Sequence, residues 1–70
     1  MRLSTRNQLT GTITEVNIGS VMATVKVRLD GGDQIVTSSI TKEAALDLEL
    51  AAGQTATVFV KSTDVMIGTE

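Results

Sequence analysis

Apolar and polar side chains alternate with a period of two along most of this 70-residue chain. The clearest stretch is residues 21–29, where the odd positions hold Val, Ala and Leu and the even positions hold Met22, Thr24, Lys26 and Arg28. A period of two puts successive side chains on opposite faces of an extended strand, so one face can be buried while the other meets water. The pattern therefore predicts a mainly β structure.

Four more segments are interpreted as strands, which makes five in all. Three of them show the same alternation and the fourth is a short apolar run that follows a polar turn; they cover residues 9–16, 34–40, 55–60 and 65–67. β-Branched residues are frequent in these segments, and such residues are favoured in strands because they pack well on a pleated surface. The chain is therefore expected to form one small sheet-based domain spanning residues 1–70.

A short helix is predicted between the third and fourth strands. Thr41 is a typical N-cap residue, and the helix is expected over residues 42–48, with a packed face formed by Ala44, Ala45 and Leu48. Turns are expected at residues 17–20, where Gly19 is available for a positive φ, and at 30–33. Five short strands with a helix after the third predict an all-β fold with one short helix, a five-stranded barrel like the oligonucleotide/oligosaccharide-binding (OB) fold.

Small size and missing residue types limit how such a chain is stabilised. A domain of this length buries only about 60 % of its unfolded surface. It contains no Cys and no His, so neither a disulfide nor the usual structural zinc site is available. Small domains without such cross-links usually gain stability by oligomerising. Solvent would be an unusual environment for Met22, Met66 and the single aromatic residue Phe59, so we expect them in packing or interface positions.

The same composition argues against several functions. A single-strand nucleic-acid binder needs a basic groove with aromatic platforms, whereas this chain has a net charge of −2 and one Phe as its only aromatic residue. Without His and Cys, the most common general base and the thiol nucleophile are missing, so no enzyme activity is expected. The start of the chain is not typical of a signal peptide, and no apolar run has membrane-spanning length. We therefore expect a cytoplasmic protein with neither nucleic acid nor membrane as a partner.

Two polar stretches, one near each end of the chain, combine a cation with hydroxyl groups beside a predicted strand. They read Ser4-Thr5-Arg6-Asn7-Gln8 and Lys61-Ser62-Thr63-Asp64. A tetrahedral oxyanion has only acceptor atoms, so it must be bound by donors such as guanidinium, ammonium, hydroxyl and backbone N–H groups. Taken singly, the first stretch also fits a solvated terminus and the second a polar loop.

Together the two stretches resemble those of the molybdenum-pterin-binding (Mop) family, the molbindins, with their Ser-Ala-Arg-Asn-Gln-like start and Lys-Ser-Thr-Asp-Val-like end. The resemblance runs along essentially the whole chain, with Thr5 where Ala is usual. It implies the OB-like Mop fold and the binding of molybdate or tungstate for molybdenum storage and homeostasis. No other cofactor is implied, and no metal besides the bound oxyanion. It also implies a homohexamer, a trimer of dimers, with sites at subunit interfaces.

The resemblance assigns the oxyanion site residue by residue. The implied positions are Ser4, Thr5, Arg6, Asn7, Thr41, Ala44, Lys61 and Ser62. Thr41 keeps two roles open, because its hydroxyl is also a typical helix cap. Ala44 stands where some relatives have serine, so only its backbone N–H can contribute. Asp64 is expected to bond the local backbone instead, because its carboxylate would repel a dianion.

Alternatives to this reading concern a second site and other functions. Gly19, Ser20 and Val21 fit a simple hairpin turn, and the resemblance also allows them a weaker role in a second oxyanion site near a three-fold axis. Related domains fused to a DNA-binding regulator or a transporter ATPase suggest an oxyanion-sensing module that acts with such a partner. A nucleic-acid-binding barrel rests on fold analogy only, and pterin binding lacks an aromatic-lined pocket.

Overall fold

The computed structural model describes residues 2–70, which form one antiparallel sheet and a short helix. The elements in chain order are β1 (Asn7–Ile18), β2 (Met22–Leu29), β3 (Ile35–Thr41), α1 (Lys42–Asp47), β4 (Thr55–Val60) and a turn of 3-10 helix at Ser62–Asp64. The four strands are ordered β3-β2-β1-β4, and the sheet curls into an open half-barrel. The predicted mainly β fold with one short helix after the third strand is confirmed.

The fifth predicted strand is absent from the part of the chain that the structure describes. Residues 65–67 follow the 3-10 turn as irregular backbone without a strand partner. Their side chains are exposed, with Val65 at 47 %, Met66 at 91 % and Ile67 at 86 % of full exposure. An apolar, β-prone segment forms a strand only where a sheet edge accepts its hydrogen bonds, and this tail is paired with neither edge strand of its own sheet. The prediction of five strands is therefore not confirmed.

The hydrophobic core lies on the concave face of the sheet. Ile13, Val25 and Val27 form its buried cluster, and partly buried apolar residues pack around it from β1, β3, β4 and the α1–β4 loop: Val16, Ile40, Leu50, Ala56 and Val58. Ile13, Val25, Val27, Ala56 and Val58 lie on the apolar faces predicted from the alternation. Val16 does not, because an extra residue shifts the alternation of β1 before it, and Leu50 lies outside the predicted strands. Because the half-barrel is open, the same face borders a cleft of about 270 Å³ that reaches as far as Leu48 and Phe59.

A β-bulge in β1 helps the sheet to curl. The register of β1 against β2 shifts between Ile13 and Glu15, so Thr14 is the extra residue. The Thr14 hydroxyl donates to the Lys26 carbonyl at 3.3 Å. Bulges bend a strand and increase its twist, which lets β1 pair with β2 along most of its length and with β4 along its first half.

The helix starts as predicted and ends earlier. Thr41 caps it, and the Thr41 hydroxyl accepts a hydrogen bond from the Ala44 backbone N–H at 3.1 Å. Ala45 is buried, but Leu48 is 67 % exposed, so the prediction that Leu48 belongs to the packed face was wrong. The physical reason is that α1 ends at Asp47 and Leu48 is already the C-cap. Among residues 2–70, no helix is long and apolar enough to cross a membrane.

The α1 C-terminus holds a glutamate in a backbone conformation that suits glycine. Glu49 has φ 53, and the amides of Glu49 and Leu50 donate to the carbonyls of Leu46 and Ala45 at 3.0 and 3.1 Å. This is the Schellman arrangement, in which the left-handed position is usually glycine.

We expect Glu49→Gly to raise the free energy of unfolding by roughly 0.5–1 kcal/mol, because a side chain is disfavoured in the left-handed region. Asp47→Gly, two residues earlier and inside the helix, should lower the free energy of unfolding by about 1 kcal/mol. Urea unfolding of both variants at equal protein concentration measures the difference. A loss of stability in Glu49→Gly would contradict the assignment of this cap.

Of the two predicted turns, the one at 30–33 contains a glycine with a positive φ and the one at 17–20 does not. The first turn is shorter than expected, since β1 runs to Ile18, and Gly19 does not adopt a positive φ. Its amide donates to the Met22 carbonyl at 2.8 Å and closes the hairpin. The positive φ values belong to Gly31 (φ 87) and Gly53 (φ 95).

Candidate oxyanion-binding site

The two polar stretches meet at one end of the sheet. β1 and β4 are antiparallel, and the last pair of their ladder joins Asn7 to Val60. Arg6 immediately precedes Asn7 and Lys61 immediately follows Val60, so the two cationic residues lie next to neighbouring strands at the same end of the sheet. Residues 53 apart in sequence are thus brought together by the register of a single strand pair.

The side chains at this end carry donors that are open to a ligand. Ser4, Arg6, Lys61 and Ser62 are exposed, and Thr5 is partly buried. Within residues 2–70 neither Arg6 nor Lys61 takes part in an ion pair, and the one salt bridge found there joins Lys26 to Glu15 at 4.0 Å. Two cations and three hydroxyls without a neutralising carboxylate can together oppose the charge of a dianion and satisfy its acceptors.

Two amide side chains tie this end of the structure together. The Asn7 Nδ2 donates to the Val60 carbonyl at 3.1 Å. The Gln8 Nε2 donates to the Thr5 carbonyl at 2.8 Å, which fixes the residues just before β1 relative to the start of that strand. The sequence resemblance grouped Asn7 with the oxyanion ligands, and the structure shows that one of its amide hydrogens is already used within the chain.

The backbone closes the turn at residues 61–64. The Asp64 N–H donates to the Lys61 carbonyl at 2.9 Å, and the Val65 N–H reaches the Ser62 carbonyl at 3.4 Å. The expected bond from the Asp64 carboxylate to the local backbone is not found among the described residues, because the main chain itself satisfies this 3-10 turn. The polar turn predicted here is confirmed, but the role given to the Asp64 side chain was wrong.

Thr41 and Ala44 lie elsewhere in the chain. Thr41 pairs with Met22 at the end of β2 that adjoins the β1–β2 hairpin, and the Lys42 N–H donates to the Val21 carbonyl at 2.7 Å. The second-site candidates Gly19, Ser20 and Val21 form that hairpin turn, so they are neighbours of Thr41. All three are exposed. Sequence alone did not reveal this proximity, because it depends on the β2–β3 register.

The candidate residues therefore form two groups at opposite ends of the sheet. Asn7 marks one end of β1, and Ile18, paired with Ala23, marks the other. The 12 residues of β1 span on the order of 30 Å in a strand conformation. The longest dimension of the whole chain is 37 Å. Thr41 and Ala44 cannot contact a small anion that is held between Arg6 and Lys61 of the same chain.

The fold and these donors define a class: a small, open β half-barrel that presents hydrogen-bond donors at both ends of one sheet. The sequence pattern of the TOBE domain matches residues 3–67. The chain belongs to the TOBE domain family and, within it, to the Mop (molbindin) domains.

Known relatives agree with this assignment. The chain is 37 % identical over 70 residues to the probable molybdenum-pterin-binding protein of Haemophilus influenzae, and the match covers 100 % of both chains. It is 43 % identical over 70 residues to the molybdenum transport protein ModE of Azotobacter vinelandii, but it spans only 26 % of that longer protein. A solved structure of the cytoplasmic molybdate-binding protein ModG with molybdate bound superimposes with a TM-score of 0.91 at 41 % identity, over 100 % of this chain and 49 % of that one.

Proposed function

We propose that this chain binds molybdate, and tungstate with it, and stores and buffers the oxyanion in the cytoplasm. The observation that carries the proposal is the β1–β4 pairing, which brings Arg6, Lys61 and their neighbouring hydroxyls to one end of the sheet. The choice of oxyanion is supported by the names of relatives that match along the whole chain, which are molybdenum-pterin-binding and molybdate-binding proteins.

Binding on this proposal is reversible and involves no bond making. Arg6 and Lys61 offset the charge of the dianion, while the hydroxyls of Ser4, Thr5 and Ser62 donate to its oxygens. Such a site gains affinity when water is excluded, because charge-assisted hydrogen bonds strengthen in a less polar environment. No further cofactor or metal is required, and the chemistry needs no catalytic group.

The second group of donors joins the site only between copies of the chain. Thr41 lies about the length of β1 away from Lys61, so a site that uses both ends combines different subunits. The Ala44 N–H already donates to the Thr41 hydroxyl, which leaves the Thr41 O–H as a donor at that end. Two exposed apolar surfaces also favour an assembly: the tail at residues 65–67 and the open cleft. Both surfaces would be covered if the tail of one copy added a fifth strand to the sheet of another. We propose a homohexamer arranged as a trimer of dimers, in which each barrel reaches five strands.

A mixing experiment tests the shared site. Light scattering should give a mass several times the 7.4 kDa of one chain. The double variant Arg6→Ala/Lys61→Ala and the variant Thr41→Val should each bind molybdate weakly alone. When the two are unfolded and refolded together, about a quarter of the sites should combine unsubstituted ends and regain full affinity. A monomer with undiminished binding, or a mixture no better than its components, would contradict the shared site.

Selectivity among oxyanions tests the proposed ligand. Molybdate should bind more tightly than phosphate by more than about tenfold, because phosphate is partly protonated near neutrality and brings an O–H donor that a donor-lined site cannot match. Sulfate should be discriminated mainly by its smaller size. Titration calorimetry of the assembled protein with the three anions measures this, and equal affinities would argue for a general anion site.

A second candidate function is an oxyanion-sensing module that acts with a regulator or transporter. It is favoured by the match to a quarter of ModE, a longer protein in which this domain is one part. In this function, molybdate binding changes the affinity of the chain for a partner protein, whereas in storage it only fills the oxyanion site. Co-purification that depends on molybdate would support this function, and a partner-free assembly at all molybdate concentrations would support storage.

A further inference from the structure

Within residues 2–70, Asn7 makes the one side-chain hydrogen bond between the start of β1 and the end of β4. It is partly buried at the start of β1, and its Nδ2 donates to the Val60 carbonyl at 3.1 Å. Val60 is the last residue of β4, and the peptide carbonyl that accepts the bond belongs to the peptide group whose nitrogen is that of Lys61. The amide of Asn7 therefore acts directly on the backbone of a proposed ligand residue.

We propose that Asn7 is a positioning residue, which fixes the backbone before Lys61 so that its ammonium group faces the oxyanion beside Arg6, and that it is not itself a ligand. This inference rests on the proposed oxyanion function. It reassigns Asn7 from the ligand set implied by the sequence resemblance.

The local structure explains why such a residue is needed. β4 is an edge strand that pairs only with β1, and its ladder ends at the Asn7–Val60 pair. Beyond that pair, every residue from 61 to 70 is exposed. The 3-10 turn is closed by its own backbone bonds, the second of them long at 3.4 Å. Among the described residues, the Asn7 amide makes the one side-chain hydrogen bond to the backbone at the point where the chain leaves β4.

Restraining this backbone matters for affinity because Lys61 has a long, flexible side chain. Ordering a lysine costs up to about 2 kcal/mol of side-chain conformational entropy, and a mobile backbone beneath it adds to that cost. A binding site whose donors are held in place before the ligand arrives avoids part of this loss. Groups that orient the ligand residues of a site therefore contribute to affinity although they never touch the ligand.

A double-variant cycle separates this role from direct ligation. Asn7→Leu keeps the number of side-chain heavy atoms and the branch at Cγ and removes the hydrogen bond, and we expect it to weaken molybdate binding about three- to tenfold. If Asn7 acts through Lys61, then Asn7→Leu/Lys61→Ala should bind no more than about twofold more weakly than Lys61→Ala alone. The matched control is Asn17→Leu, an exposed asparagine at the other end of β1, which should bind as the wild type does. Losses that multiply in the double variant, as for an independent ligand or a general structural defect, would overturn the proposal.

Hydrogen exchange in the assembled protein without molybdate gives a readout that does not depend on the ligand. In Asn7→Leu, the Asp64 amide, which donates to the Lys61 carbonyl, should exchange about three- to tenfold faster than in the wild type. The Lys42 amide at the far end of the sheet should be unchanged. Faster exchange at both amides would indicate global destabilisation, and no change at Asp64 would refute the positioning role. If the wild type fails to bind molybdate while Asp64 responds as expected, the proposed function fails and the structural coupling stands.

Discussion

Replacing either Arg6 or Lys61 with alanine is expected to weaken molybdate binding roughly ten- to a hundredfold, because each substitution removes a charge-assisted partner of the dianion. The two side chains leave adjacent strands at the same end of the sheet, and neither is neutralised by a carboxylate within residues 2–70. Since both are exposed in the single chain, their removal should leave the fold intact. Calorimetry at matched oligomeric state measures the loss.

Asp64→Asn is the matched control for these two variants. It removes a charge from the same turn, but the turn is closed by the Asp64 backbone N–H, which the substitution retains. Affinity should therefore stay within about threefold of the wild type, or rise slightly because a negative charge near the dianion is lost. Near-wild-type binding by both cation variants, or a larger loss in Asp64→Asn than in either of them, would mean that the oxyanion site lies elsewhere.

Replacing Gly11 with alanine is expected to destabilise the fold by about 3 kcal/mol or more, through overpacking. Gly11 is buried in β1, where the strand is paired with β2 on one side and β4 on the other. A Cβ at this position would collide with the Arg28 carbonyl oxygen and lie 2.8 Å from Val27 Cγ1. Because the obstacle is backbone, the β1–β2 ladder itself must shift, and part of the core moves with it.

Gly32→Ala is the control for this prediction. Gly32 lies in the β2–β3 turn with nothing within 4 Å of an added Cβ and without a positive φ, so the change should alter the free energy of unfolding by less than about 1 kcal/mol. Thermal unfolding at one protein concentration compares the variants. A Gly11→Ala protein as stable as Gly32→Ala would show that β1 and β2 do not approach each other as closely as the structure describes.

Much of the fold was predictable because its strongest signals are local. The alternation from residue 21 to 29 identified β2 within one residue and its buried face, Ala23, Val25 and Val27. Thr41 marked the helix start, since an N-cap depends on a side chain and an amide only three residues apart. The strand ends were predicted less accurately, since β1 extends two residues further at each end than its alternation indicated. Pairing with β2 and β4 keeps polar residues such as Asn7 and Asn17 in the strand.

The remaining features depend on contacts that a single sequence does not show. The tail at 65–67 has the composition of a strand, but strand formation depends on an available edge, which this chain does not offer to its own tail. Leu48 looked like a core residue, yet α1 stops one residue before it. Strand register places the candidate site residues at two ends of the sheet. It also brings the Asn7 side-chain amide within hydrogen-bond distance of the Val60 carbonyl. Register was not read from the sequence.

Equilibrium dialysis of the purified protein against molybdate, with molybdenum quantified per chain, tests the central claim most directly. The competing arm contains a large excess of sulfate, and the Arg6→Ala/Lys61→Ala variant serves as the unliganded reference. We expect saturable retention of molybdenum in a fixed ratio to the chain, persistence of that retention in sulfate, and its loss in the double variant. No retention by the wild type, or equal retention by the double variant, would contradict the account.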